Sequence, residues 1–133
     1  LDEGGQGRFG LWTRDGGSIL SARRAAFADD AASVPEAVAT LDPWLLRVAL
    51  ERAAGLDAAA VEGGDRIGYT KSAAQALRDV DAGADGADAA FLLQPTPVAS
   101  VEAVARSGEV MPQKSTYFYP KALTGLVINP HEW

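Results

Sequence analysis

The feature that most constrains the fold is a short apolar run, Ala89–Leu93, which lies between two helical patterns. A continuous apolar run of this length is typical of a strand buried on both faces of a sheet. The spacing of apolar residues predicts one helix at Lys71–Asp81 before the run and another at Val98–Ala105 after it. Further strands are predicted at Arg66–Thr70 and Leu126–Ile128. A strand-helix-strand order favours a right-handed crossover, so we expect parallel pairing in this half.

The first half of the chain predicts an antiparallel hairpin. Arg8–Thr13 alternates apolar and polar residues, and Ser18–Ala22 can pair back on it across a turn at Asp15–Gly17. Taken together, the two halves predict an α/β fold of the mixed α+β kind. It has a single mixed sheet with an N-terminal antiparallel hairpin, a strand-helix-strand-helix-strand second half, and helices packed on the sheet.

Two helices are predicted to begin at a polar residue followed by proline. At Asp42-Pro43 the aspartate would cap the helix and the proline would take the first helical position. Thr96-Pro97 repeats this arrangement before the second helix. Gly55 predicts the end of the first of these helices, because glycine commonly closes a helix in a left-handed conformation. Gly108 predicts the end of the second helix for the same reason.

The length of 133 residues fits a single domain at residues 1–133. The chain begins with Leu1 rather than methionine, and residues 1–7 are glycine-rich and linker-like. We therefore interpret the chain as an excised C-terminal fragment, with an upstream domain of the same parent chain as a partner. No apolar run approaches the roughly 18 residues that span a bilayer, so no membrane partner is expected.

The scarcity of cysteine and histidine excludes several kinds of site. No cysteine occurs, which removes disulfides, thiolate catalysis and cysteine metal ligands and fits a cytoplasmic protein. The single histidine, His131, lies close to the C-terminus, so neither a serine-histidine-aspartate triad nor a metal site is expected. The net charge of −6 argues against a nucleic-acid partner.

The segment Val110–Lys121 concentrates the polar and aromatic chemistry of the chain. It holds two lysines, two adjacent hydroxyls and three consecutive aromatic residues between prolines. No carboxylate occurs from Val110 to His131, so this stretch is basic within an acidic chain. A strand is predicted at Thr116–Tyr119. The glycines that a P-loop needs upstream of Lys114 are missing, so this is not a P-loop.

The second half also resembles a known family. The resemblance is carried by Ile67–Thr70, by Asp88–Pro97, by Gly108–Lys121 and by Thr124–Ile128. Its most unusual element is Met-Pro-Gln-Lys-Ser-Thr-Tyr-Phe-Tyr-Pro-Lys. The pattern is similar to the C-terminal part of the bacterial and archaeal family catalogued as domain of unknown function 1015. Members are much longer chains, which agrees with the fragment interpretation, and the family name implies no activity.

This tail predicts a binding site for a small anion. A lysine beside two hydroxyls and exposed backbone amides can bind phosphate or carboxylate. A loop after a helix can also cross the carboxyl ends of the strands, where ligands bind in open α/β sheets. The predicted ligand residues are Lys114, Ser115, Thr116, Lys121, Gln94, Thr96, Tyr117 and Tyr119. Glu109 is the candidate acid or base, and Thr96 can be a helix cap as well as a site residue.

Two other interpretations stay open. The Lys-Ser-Thr segment can be a plain structural loop, since short polar motifs are non-specific. The chain can instead be a non-catalytic structural or interaction module that packs against the upstream part of its own chain, with Tyr117–Tyr119 in the interface. No nucleophile-base pair is visible in the sequence, so it names neither a reaction nor a cofactor, and it leaves open whether the protein is an enzyme.

Overall fold

The computed structural model describes residues 6–64, 66–83 and 86–117, and its sheet begins with the predicted hairpin. Strand β1 (Arg8–Thr13) pairs antiparallel with β2 (Gly16–Ser21), and Thr13 lies opposite Gly16. The turn is therefore the two residues 14–15, slightly earlier than the Asp15–Gly17 signal. The hairpin prediction is confirmed, because alternating side chains and a tight turn are enough to set this pairing locally.

The third strand corrects the prediction of a mixed, partly parallel sheet. Strand β3 (Ala89–Leu92) pairs with β1 in the antiparallel sense, and the strand order is β2-β1-β3. Residues 66–70 form no strand, and Tyr69 is 52% exposed. This segment has two apolar side chains and a glycine, too little apolar surface to hold a sheet position. The described residues thus form an α+β fold with an antiparallel three-stranded sheet.

The position of β3 also corrects its predicted burial. The apolar run predicts a central strand covered on both faces, but β1 is the central strand of the described sheet. In β3, Ala89 is exposed and the other three residues are half-buried. The predicted strand Leu126–Ile128 and the second half of Thr116–Tyr119 lie outside the described residues.

Helices occupy most of the remaining described chain. A short 3₁₀-helix at Arg24–Phe27 follows the hairpin. The α-helices are α1 (Ala28–Ala31), α2 (Glu36–Ala39), α3 (Asp42–Ala54), α4 (Ala58–Gly63), α5 (Ala73–Ala82) and α6 (Val98–Arg106). Among these described helices, none is long and apolar enough to cross a membrane.

The ends of the helices follow the predicted glycines. Gly55, with φ of 63°, closes α3. After α6, the Gly108 N–H donates to the Ala105 carbonyl and the Glu109 N–H donates to the Val104 carbonyl. This pair of bonds is a Schellman motif, which returns the chain sharply toward the core.

The starts of α3 and α6 differ from the prediction. Leu41, not Asp42, is the N-cap of α3, and the Asp42 Oδ1 instead accepts from the Gly7 N–H at 2.6 Å. Pro97 is the N-cap of α6, and no side chain caps that helix. The capping predictions for Asp42 and Thr96 are therefore wrong, because each polar side chain is used by a distant segment. Residues 1–5 of the linker-like segment lie outside the described residues.

The core joins the sheet to α2, α3 and α6. Its buried side chains are Phe9, Val38, Leu41, Trp44, Leu45, Val48 and Val104. Trp44 is held by packing alone, since its Nε1–H has no hydrogen-bond partner within the described residues. Leu93 and Met111 pack against this cluster from its edge. The chain segments that follow β3 and α6 therefore both leave from the core.

Candidate functional site

The candidate site is built on a turn that emerges from the core after Met111. We call residues 112–117 the Lys114 loop. The Ser115 N–H donates to the Pro112 carbonyl at 3.2 Å, and the Ser115 hydroxyl donates to the same oxygen. Two bonds to one acceptor close a tight turn with Lys114 at its third position.

Lys114 has an unusual backbone conformation. Its φ is 59°, and no other non-glycine residue of the described ranges has a positive φ. Glycine or asparagine normally takes this position in a turn, because a Cβ there costs on the order of 1 kcal/mol. The turn therefore holds an exposed lysine in a conformation that its own side chain disfavours.

Thr96 ties this loop to the segment before α6. Its hydroxyl donates to the Ser115 carbonyl at 2.9 Å, in a partly buried bond. The structure thus brings together two predicted site residues that are 19 positions apart in the sequence. Gln94, another predicted residue, is half-buried two positions before Thr96.

A lysine that the sequence analysis missed reaches the same loop. Lys71, just before α5, donates from Nζ to the Tyr117 Oη at 3.2 Å. The same nitrogen lies 4.9 Å from the centroid of the Tyr117 ring, which is a cation-π distance. No short sequence motif predicts this contact, because Lys71 and Tyr117 are 46 positions apart. The only signal is that lysine is rare in this chain, whose cations are mostly arginine.

The two described lysines differ from the arginines in their electrostatic partners. All four ion pairs among the described residues use arginine: Arg14 with Asp88, Arg47 with Glu51, Arg52 with Asp30, and Arg106 with Glu102. Lys71 and Lys114 pair with no carboxylate in that part of the chain. No carboxylate of the described residues therefore compensates these two positive charges at the Lys114 loop.

Of the remaining predicted site residues, only Thr116 lies on the described part of the Lys114 loop. Thr116 is exposed on the loop. Glu109 is also exposed, and its carboxylate forms no hydrogen bond or ion pair with any described residue. Tyr119 and Lys121 lie outside the described residues. Within the ranges given above, no cluster of three or more acidic or histidine side chains could hold a metal ion.

A second surface, on the sheet, is apolar rather than charged. A groove of about 270 Å³ is lined by Gly10, Leu11, Trp12, Gly17, Ser18, Ile19 and Leu92. The Trp12 ring lies over Gly17 so closely that a Cβ there would sit 2.8 Å from it. The indole Nε1 of Trp12 donates to Asp81 at 2.7 Å, which fixes the ring. We call this surface the Trp12 groove.

Comparison with known proteins identifies no relative. No protein-family model matches the chain, and no curated protein or solved structure matches it. The resemblance of Gly108–Lys121 to the family of domain of unknown function 1015 stays a prediction from the sequence. Function therefore has to be inferred from the geometry of the loop and the groove.

Proposed function

We propose that the Lys114 loop binds a phosphorylated or carboxylated small molecule. The Lys114 ammonium supplies the charge, and the exposed Thr116 hydroxyl supplies a donor. The Ser115 hydroxyl donates to Pro112, so Ser115 shapes the turn and does not donate to the ligand. A cytoplasmic location belongs to the same proposal and rests on the absence of cysteine from the sequence.

The observation that supports this most is the positive φ of Lys114. A turn that had only to connect α6 to the tail would favour glycine or asparagine at this position. Strained residues persist where the surroundings hold them, and they cluster at ligand sites. Here the Thr96 and Ser115 bonds hold the turn, and the strained residue carries a charge that forms no ion pair with a described carboxylate.

The proposal is for binding and assigns no reaction. A general acid or base must come within hydrogen-bond reach of the reacting group. Glu109 forms no contact that brings its carboxylate to the polar groups of the loop within the described chain. Because the lysine is exposed, its attraction for an anion is screened by salt, and affinity should fall as sodium chloride is raised.

The test is a calorimetric titration of inorganic phosphate into the wild type and Lys114→Asn. Asparagine tolerates a positive φ, so this change removes the charge and keeps the turn. We expect phosphate affinity to fall about tenfold, as for the loss of one charge-assisted hydrogen bond.

The matched control is Arg106→Gln, which also removes one exposed charge. Arg106 lies at the far end of α6 from Thr96, about 13 Å along the helix axis. Its surface pair with Glu102 is worth little. Equal phosphate affinity in the wild type, the Lys114 variant and this control would contradict the proposal.

A second candidate function is a non-catalytic interaction module, and the Trp12 groove favours it. We propose that the upstream part of the parent chain covers this groove, where Ile19 is 52% exposed in the present structure. Ile19→Lys should then change the stability of the 133-residue chain by no more than about 0.5 kcal/mol. In the longer parent it should cost about 2 kcal/mol, because it would bury a charge.

Tyr69→Lys is the control for this pair of measurements. Tyr69 is exposed to the same 52% but does not line the groove. Denaturant unfolding of both variants in both chains gives the comparison. Equal effects of Ile19→Lys in the short and long chains would exclude the groove as an internal interface.

A further inference from the structure

We infer that Lys71 is a second cationic ligand of the same anion site, and that Lys71 and Lys114 together favour a phosphate dianion over a carboxylate. The inference rests on the proposed function and adds to it a residue from another element. It also narrows the ligand from two chemical classes to one, the phosphorylated molecules.

Geometry places the Lys71 ammonium beside the Lys114 loop. Its Nζ is 3.2 Å from the Tyr117 Oη and 4.9 Å from the ring centroid, so the side chain lies on the tyrosine. Tyr117 follows Lys114 by three residues, which an extended chain spans in at most about 11 Å. One ammonium group thus lies against this loop and the other belongs to it, and we assign both to one ligand.

The Lys71–Tyr117 contact leaves hydrogen-bond donors available. The Tyr117 oxygen accepts from Lys71, so the phenolic O–H is left to donate elsewhere. Lys71 uses one of its three N–H groups in this contact. Tyr117 is 65% exposed, so a ligand can approach from solvent. An ammonium and a hydroxyl donor thus stand side by side, as the oxygens of a phosphate require.

The charge balance favours a dianion. Neither lysine is neutralised by a carboxylate of the described residues, although the chain as a whole is acidic. An aromatic ring attracts Lys71 without cancelling its charge. Two cations that share one ligand repel each other, and an anion of charge −2 relieves this repulsion more fully than an anion of charge −1.

The test compares inorganic phosphate with acetate as probes of the wild type and Lys71→Met. Methionine keeps an unbranched stem over the Tyr117 ring and removes the charge. We expect phosphate affinity to fall about tenfold and acetate affinity about threefold, so that the preference for phosphate falls. Lys71→Arg, which keeps the charge, should keep the preference.

The control is Arg78→Met, an exposed residue on α5 whose loss changes the net charge equally. It should leave both affinities within about twofold. If Lys71→Met keeps the wild-type affinities and preference while Lys114→Asn loses binding, the assignment of Lys71 is wrong and the proposed function stands. If the wild type binds neither probe, both are wrong. A purely structural role for Lys71 would lower the two affinities by the same factor.

Discussion

The starts of α3 and α6 are alike in sequence and serve different parts of the molecule. Each has a polar residue directly before proline, and in neither case does that side chain cap its helix. Asp42 accepts from the Gly7 N–H, 35 positions away, and is buried. Thr96 donates to the Ser115 carbonyl, 19 positions away, at the edge of the Lys114 loop.

The difference lies in hydrogen-bond direction and burial. A carboxylate only accepts, so Asp42 can hold a backbone N–H, here the one that leads into β1. A threonine hydroxyl can donate, so Thr96 can hold a carbonyl, here one in the candidate site. Because burial raises the cost of an unmade bond, Asp42 should matter mainly for the fold and Thr96 mainly for the loop.

The largest effect is expected at Asp42. Asp42→Ala should lower the free energy of unfolding by about 2 kcal/mol, because it removes a charge-assisted bond and leaves the buried Gly7 N–H without a partner. Urea denaturation measures this change. Asp42→Asn keeps an acceptor oxygen and should recover part of the loss. A loss below about 0.5 kcal/mol in the alanine variant would show that the bond is dispensable.

A smaller change in stability is expected at Thr96. The direction of this change in one variant distinguishes a helix-capping role from a role in tethering the loop. Thr96→Val keeps the shape, removes the hydroxyl and should cost about 1 kcal/mol in denaturant unfolding, with weaker phosphate binding. Thr96→Asp is the decisive variant. Aspartate is a good helix cap, so a capping role predicts no loss of stability. A carboxylate cannot donate to the Ser115 carbonyl, so the tethering role predicts destabilisation.

The smallest effect on stability is expected at Lys114. Lys114→Asn should raise the free energy of unfolding by about 0.5 kcal/mol, because asparagine tolerates the positive φ that lysine resists. The same variant should lose phosphate affinity, as described above. A gain in stability with a loss of binding is the signature of a strained functional residue. A clear loss of stability would instead show that the lysine side chain supports the turn.

Much of the fold was predictable where the information is local. The β1-β2 hairpin follows from alternating side chains around a turn, and the ends of α3 and α6 follow from Gly55 and Gly108. The prediction of parallel pairing was wrong, because a strand-helix-strand pattern does not determine which strand lies beside which in the sheet. β3 instead pairs with β1, and this pairing places Ala89 opposite Thr13, a residue far earlier in the chain.

The candidate site was predictable only where its residues are close together in the sequence. Lys114, Ser115 and Thr116 are consecutive, so their polar character is visible in the sequence itself. The strained φ of Lys114 is not visible, because lysine has no preference for that conformation. The Thr96 bond and the Lys71 contact join segments 19 and 46 positions apart, which no short motif can encode.

By itself, the sequence determined the hairpin, the helix ends and the position of a basic, hydroxyl-rich tail in an acidic chain. These depend on backbone preferences and on charge, which act over a few residues. Only the tertiary structure decided the strand order, the partners of Asp42 and Thr96, and the approach of Lys71 to Tyr117. These depend on which apolar surfaces are buried together, and the polar groups then bond to the partners that packing brings within reach.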